Sequence, residues 1–270
     1  METMNADSTD LLRRAILLLL ATCLLIPAMV NATTFVLSNN CAHDVWPGVL
    51  ADSGNPMLGG SGPGGFLLPA GQSATLYAVA GWSGRFWGRT GCNFDGAGKG
   101  TCLTGDCGGV LACNGAGGDP PVTLAEFTLG SPTSPNKADF YDVSLVDGYN
   151  LAMSVAPSGG SGSNCRPAGC TSDLLHDGRC PPQLQVTATE PSSSQPQLIA
   201  CRSACDAFAS PEFCCTGDFG SPQTCSPNSY SKAFKSACPT AYSYAYDDPT
   251  STFTCISASS YTITFCPKPQ

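Results

Sequence analysis

Cysteine dominates the chemistry this sequence could perform, with 17 in 270 residues. Three of them, Cys102, Cys107 and Cys113, stand in GKGTCLTGDCGGVLAC (98–113) with four and then five residues between them. Thiols in such numbers either hold metal or pair with one another. Zinc sites draw on clustered cysteine and histidine pairs. Only two histidines are present, His43 and His176, and no C-x-x-C pair of zinc type is repeated. Metal and cofactor are therefore not expected, and both histidines read as surface or loop residues. The remaining chemistry is oxidation to disulfides. The 98–113 stretch is so rich in glycine that it has no apolar face to bury. Glycine also gives up the most backbone entropy on ordering, so covalent closure is what can give the stretch a shape. Within it, Asp106 in the TGDC turn is expected to accept backbone hydrogen bonds. The order of residues suggests no Ser–His–Asp arrangement.

The N-terminus reads as a processing segment rather than as part of the fold. Arg13 and Arg14 precede an apolar run from Ala15 to Val30 that Pro27 breaks, and small residues follow. Cleavage after Ala32 suits this pattern and defines residues 1–32 as a signal peptide. Cys23 leaves with it, and the sixteen remaining cysteines form an even set, the arithmetic of eight bridges in an oxidising compartment. No later stretch is long and apolar enough to span a membrane. The net charge of −8 argues against nucleic acid or an anionic membrane as partner and is compatible with neutral carbohydrate. With only 12% charged residues, ion pairs cannot organise the fold.

The elements that must position these residues are mostly short strands. Phe35 and Leu37, a turn at Asn39–Asn40 and a strand near Val45 open the pattern. Phe66–Leu68, Ala74–Val79 and Arg85–Arg89 are further strand candidates, separated by glycine and proline turns. TLAEFTL (123–129) alternates, with Ala125, Phe127 and Leu129 on one face and Leu124, Glu126 and Thr128 on the other. DFYDVSLV (139–146) alternates likewise and turns at Asp147–Gly148, and Leu151–Val155 follows. From Cys165 to Cys238 composition shifts to a cysteine-dense stretch. There, LIACRSACDAF (198–208) has helical spacing, and Ser229 could cap a second helix ending before Pro239. Strands at Thr250–Cys255 and Tyr261–Cys266 close the chain, the last one rejoining the first sheet.

The spacing G-x-G-x-C-x-T-G-D-C-x-G-x-x-x-C over 98–113 resembles the signature of the plant thaumatin-like, pathogenesis-related proteins, the group of thaumatin and osmotin. The resemblance extends along the chain through TLAEF, YDVSLVDGYN, FCCTG, KSACPTAYSYAYDDPTSTFTC and YTITFC. It implies a mainly β protein, with a flattened β-sandwich core carrying two lobes. The core comprises residues 33–91, 114–164 and 241–270. A small disulfide-pinned lobe spans 92–113, and a disulfide-rich, partly helical lobe spans 165–240. The implied bridges are Cys41–Cys266, Cys92–Cys102, Cys107–Cys113, Cys165–Cys255, Cys170–Cys238, Cys180–Cys201, Cys205–Cys214 and Cys215–Cys225.

The same resemblance implies an acidic cleft between core and helical lobe. Its family residues fall on Arg85, Glu126, Asp142, Asp147 and one of Asp247 and Asp248, with Asp248 the better match. Paired carboxylates can cut a glycosidic bond, one as protonated acid and the other as nucleophile or base. Glu126 as acid and Asp147 as partner is the natural assignment, with Tyr149 as an exposed ring to stack on sugars. On an ideal strand Asp142 and Asp147 would point to opposite faces, so their convergence requires a turn at Asp147. The leading expectation is a secreted, monomeric defence protein of the apoplast or vacuole that binds β-1,3-glucan of fungal walls and is antifungal. The alternatives are a weak endo-β-1,3-glucanase and an inhibitor of foreign xylanase or amylase.

Overall fold

The computed structural model describes residues 33–268 except 59, 61, 63, 132–137 and 190–193, so the signal-peptide reading of 1–32 lies outside the described residues. The chain opens with β1 (Thr33–Asn39), β2 (Trp46–Ala51), β3 (Ser73–Ala78) and β4 (Ser83–Arg89). A two-residue ladder, β5 (Asn93–Phe94) with β6 (Gly100–Thr101), lies in the cysteine-glycine stretch. Next come β7 (Leu124–Thr128), β8 (Ala138–Ser144), β9 (Met153–Ser158) and β10 (Ala168–Cys170). A second two-stranded ladder pairs β11 (Gln185–Ala188) with β12 (Gln197–Cys201). Short helices α1 (Ala204–Phe208) and α2 (Pro211–Cys214) precede the longer α3 (Ser229–Ala237). The one-turn α4 (Asp248–Ser251) leads into β13 (Phe253–Ile256) and β14 (Ser260–Phe265).

Two five-stranded sheets make the sandwich, ordered β10-β9-β14-β1-β3 and β13-β8-β7-β4-β2. The last strand does rejoin the first, β14 running parallel to β1. Between the sheets an aromatic cluster fills the core. Phe35 packs at 4.7 Å from Phe127, Phe127 at 5.2 Å from Tyr261, and Tyr261 at 5.1 Å from Tyr141. Ala125, Phe127 and Leu129 are all buried, as the alternation of 123–129 requires. A smaller apolar cluster of Trp87, Cys107, Cys113, Val122 and Leu124 seats the glycine-rich stretch on the sandwich. Trp87 packs so closely on Gly48 that a Cβ there would come within 2.2 Å of its ring. All eight implied disulfides are formed. Asp106 accepts from the backbone N–H groups of Cys102, Gly108 and Gly109, which holds the turn between two of those bridges.

Four local expectations are corrected. Residues 198–201 are not helical. They pair with β11, and Cys201 exchanges backbone hydrogen bonds with Tyr149, its N–H donating at 2.7 Å and its carbonyl accepting at 2.8 Å. That tertiary ladder overrides helical spacing, and the helix starts only after Ser203, whose hydroxyl caps Asp206. Asn228, not Ser229, caps α3, its side chain accepting from Tyr230 and Ser231. Phe66–Leu68 forms no strand and meets its neighbours only through bridges such as Val45 to Leu68. Residues 250–251 belong to α4, where Pro249 stands in the first turn, so the strand starts at Phe253.

Candidate functional site

The second sheet sets three of the candidate residues side by side. Arg85 on β4 pairs with Glu126 on β7, and Glu126 pairs with Asp142 on β8. Directly opposed residues on neighbouring antiparallel strands have Cβ atoms about 4.5–5.5 Å apart. The row faces away from the core, because Phe86, Ala125, Phe127, Tyr141 and Val143 take the inward positions. Arg85 reaches Glu126 at 3.7 Å and Asp52, just beyond β2, at 3.9 Å. Phe140, two residues before Asp142 on the same face, is 45% exposed and also lines this pocket.

Two carboxylates in direct opposition repel, and the structure relieves this with protons and with Arg85. Asp142 is pushed up to about 8, first by burial and then by the charge of Glu126, with Arg85 opposing. Glu126 is raised too, again by burial first, with Arg85 lowering it and Asp147 raising it. Both groups thus hold protons more tightly than ordinary carboxyls. Arg85 Nε and Asp142 Oδ1 are buried and make no hydrogen bond among the described residues.

Asp147 reaches the site through the turn that strict alternation could not supply. β8 ends at Ser144, and Gly148 N–H donates to the Leu145 carbonyl at 3.0 Å. Gly148 adopts φ +95°, and a Cβ there would lie 2.7 Å from Pro121 Cβ, so the turn needs glycine. Asp147 is raised by burial and lowered by Arg85. It lines a separate cavity of about 230 Å³ with Asp206, Phe213 and Tyr244.

The aspartate pair divides. Asp247 is buried and spent on structure: it accepts from Ser243 N–H at 2.9 Å, Ser243 Oγ at 2.8 Å and Lys235 Nζ at 2.7 Å. Asp248 is exposed, accepts from the Tyr242 hydroxyl at 2.8 Å, and its charge raises Asp142. Tyr149 does not face sugar. It is 1% exposed, and its hydroxyl donates to the Ser172 carbonyl at 3.0 Å. Among the described residues, the one grouping of metal-ligand types is Cys41, His43 and Cys266, and both sulfurs are already joined in a disulfide.

Asp52, Phe140, Asp206, Phe213 and Tyr244 escaped the sequence reading. Phe140 was within reach, since the alternation that exposes Asp142 also exposes Phe140 two residues earlier. The other four depend on strand register or on how the helical stretch docks, which no local pattern encodes.

An eight-disulfide β-sandwich with an acidic row on one sheet and a cysteine-dense helical stretch beside it defines the class of thaumatin-type proteins. The chain belongs to the Thaumatin family, whose model matches residues 39–267. It is 62% identical over 238 residues to pathogenesis-related thaumatin-like protein 3.5 of Cryptomeria japonica, covering 88% of this chain and 91% of that one. It is 47% identical over 238 residues to a protein of Prunus avium named glucan endo-1,3-beta-glucosidase, again covering 88% and 91%. The fold is shared with a family 64 laminaripentaose-producing β-1,3-glucanase from Paenibacillus barengoltzii solved with laminarihexaose. The TM-score is 0.54 at 12% identity, with 90% of this chain and 78% of that one covered.

Proposed function

We propose that the protein binds β-1,3-glucan in the acidic pocket of the second sheet and acts, after secretion, as an antifungal defence protein. The observation that carries this reading is the row Arg85–Glu126–Asp142, held in register on three adjacent strands and open to solvent. A neutral polysaccharide offers hydroxyls, and the row offers a guanidinium and two carboxyls to bond them. Phe140 adds an exposed ring for the apolar face of a sugar. Eight disulfides suit an oxidising compartment such as the apoplast. Among the described residues no helix is long and apolar enough to cross a membrane.

A second reading, weak endo-β-1,3-glucanase activity, is favoured by the raised proton affinities, because a general acid must still hold its proton near the working pH. Glu126 is raised, as its assignment as acid requires, and Asp147 is its partner. Asp142 holds its proton up to about 8 and is the competing candidate for the acid. The test is retention on insoluble β-1,3-glucan beside reducing-sugar release from laminarin. Wild type should be retained, and Glu126→Gln should lose release if the enzyme reading holds. Release that persists undiminished in Glu126→Gln would remove Glu126 as the acid. Absence of retention for wild type would remove the glucan reading and direct attention to xylanase or amylase as targets.

A further inference from the structure

Segments outside both pockets also carry chemistry. Between Cys113 and Pro120, where the glycine-rich stretch returns to the sandwich, stands Asn114–Gly115, the one Asn-Gly pair in the chain. We propose that Asn114 is a site of spontaneous modification, at which the main chain of Gly115 converts the side-chain amide into a mixture of aspartate and isoaspartate.

The turn explains why this pair stands here. Ala116 N–H donates to the Cys113 carbonyl at 2.9 Å and closes a four-residue turn with Asn114 and Gly115 at its centre. Both have positive φ, +49° and +87°. Two consecutive left-handed residues make the type I′ arrangement, which favours asparagine followed by glycine, because asparagine tolerates φ > 0 and glycine has no Cβ to clash. The geometry that selects the pair also makes it reactive. The Gly115 main-chain nitrogen, on losing its proton to base, attacks Cγ of Asn114. The bond from Cγ to Nδ2 breaks, and that nitrogen leaves as ammonia. The five-membered succinimide then takes up one water. Opening at one carbonyl gives aspartate, and opening at the other gives isoaspartate, whose main chain runs through the former side chain.

Three observations favour this reaction at Asn114. The attacking group is free, since Gly115 N–H makes no hydrogen bond among the described residues. The surroundings are open: both residues are exposed, and a Cβ on Gly115 would meet nothing within 4 Å. The side chain has a single exposed tie, from Nδ2 to the Ala112 carbonyl at 2.8 Å. Other asparagines are held or shielded. Asn39 and Asn150 are buried, Asn164 donates to the Thr252 carbonyl at 2.9 Å, and Asn228 accepts from two backbone N–H groups. Asn55 precedes a proline, which has no N–H to attack with. Cys113 is buried and bridged to Cys107, so the seat of the stretch against Trp87 stays closed while isoaspartate lengthens the turn by one backbone atom. Neither pocket draws a residue from 113–116, so the modified protein keeps any glucan binding it has.

The test holds the protein, disulfides intact, at mildly alkaline pH in heavy-oxygen water and follows the peptide containing residue 114 by mass spectrometry. Wild type should accumulate acid at 114 in both aspartate and isoaspartate forms, each carrying one solvent oxygen, while Asn164 and Asn228 stay amides. Gly115→Ala should slow conversion tenfold or more. Asn114→Gln, whose longer side chain needs a six-membered ring, should show none over the same period. Acidic pH should slow the wild type, because the attacking nitrogen must lose its proton. Absence of conversion in the folded wild type would overturn the proposal, whatever the denatured chain does. A product free of isoaspartate, or equal conversion at Asn164 and Asn228, would overturn it as well.

Discussion

Two cations, one buried and one half-buried, tie peripheral segments to the same sandwich, and they do so in different ways. Arg89, fully buried at the end of β4, donates to the Trp46 carbonyl at 3.0 Å, the Val110 carbonyl at 2.9 Å and the Leu111 carbonyl at 2.8 Å. It thereby pins the glycine-rich 98–113 stretch, which has too few large side chains to pin itself. Burial lowers Arg89 to about 10, against the charge of Asp106, so the guanidinium stays charged at neutral pH. Lys235, on α3, instead gathers the 239–251 segment. Its ammonium donates to the Ala241 carbonyl at 2.6 Å, Thr250 Oγ1 at 3.0 Å and Ser251 Oγ at 2.8 Å, besides pairing with Asp247. That segment carries Tyr244, which lines the cavity of Asp147, and the hydrogen-bonded pair Tyr242 and Asp248. The Arg89 tie thus holds residues that line neither pocket, whereas the Lys235 tie holds a segment carrying one that does, Tyr244. Under the proposed function, stability and binding should be separable at the first site and coupled at the second.

Replacing Arg89 by Met should have the largest cost. It strands three part-buried carbonyls, each worth roughly 1–3 kcal/mol when left unsatisfied, so denaturant unfolding with disulfides intact should show a loss of about 4 kcal/mol. Retention on glucan under folding conditions should be unchanged, and a loss of retention would break the contrast. Lys235→Met removes the partner of a mostly buried carboxylate and should cost about 3 kcal/mol. Here retention should fall as well, because Asp248 and Tyr244 lose their anchor.

The Asp142 carboxyl gives a subtler signature. Its proton affinity is raised on folding, so the native state holds a proton that the unfolded chain has released. Its contribution to stability is therefore full below about pH 4 and declines as pH climbs toward about 8. Asp142→Asn, which mimics the protonated form, should melt close to wild type near pH 4 and above it at pH 8. A constant gap across that range would contradict the shift. Least affected should be Tyr149→Phe, which deletes one hydrogen bond to Ser172 for about 1 kcal/mol and leaves glucan retention as it was.

How much of this was legible in the chain differs between its halves. The sandwich strands follow alternation closely, as in TLAEFTL, because one face of each strand must be apolar and the period is short. The framework of bridges and the acidic row came from family resemblance, and the register of β4, β7 and β8 explains why those residues meet. The failures cluster where tertiary contacts override local pattern. Residues 198–201 have helical spacing but are drawn into a ladder with β11, and Tyr149, a surface ring by its place after a turn, is buried where it bridges to Cys201. Asp247 and Asp248 are neighbours of identical type. The positions of Lys235 and Ser243 send Asp247 into structure, while Asp248 stays exposed with Tyr242 as its partner.

The most direct test of the central claim is a carbon-13 NMR titration of the side-chain carboxyls, without and with laminarihexaose. The account predicts that Asp142 titrates near pH 8 in the free protein, and that the resonances of Glu126, Asp142 and Asp147 shift together on adding the sugar while Asp247 stays fixed. Sugar binding that leaves all three unmoved would place the glucan elsewhere on the molecule and contradict the account.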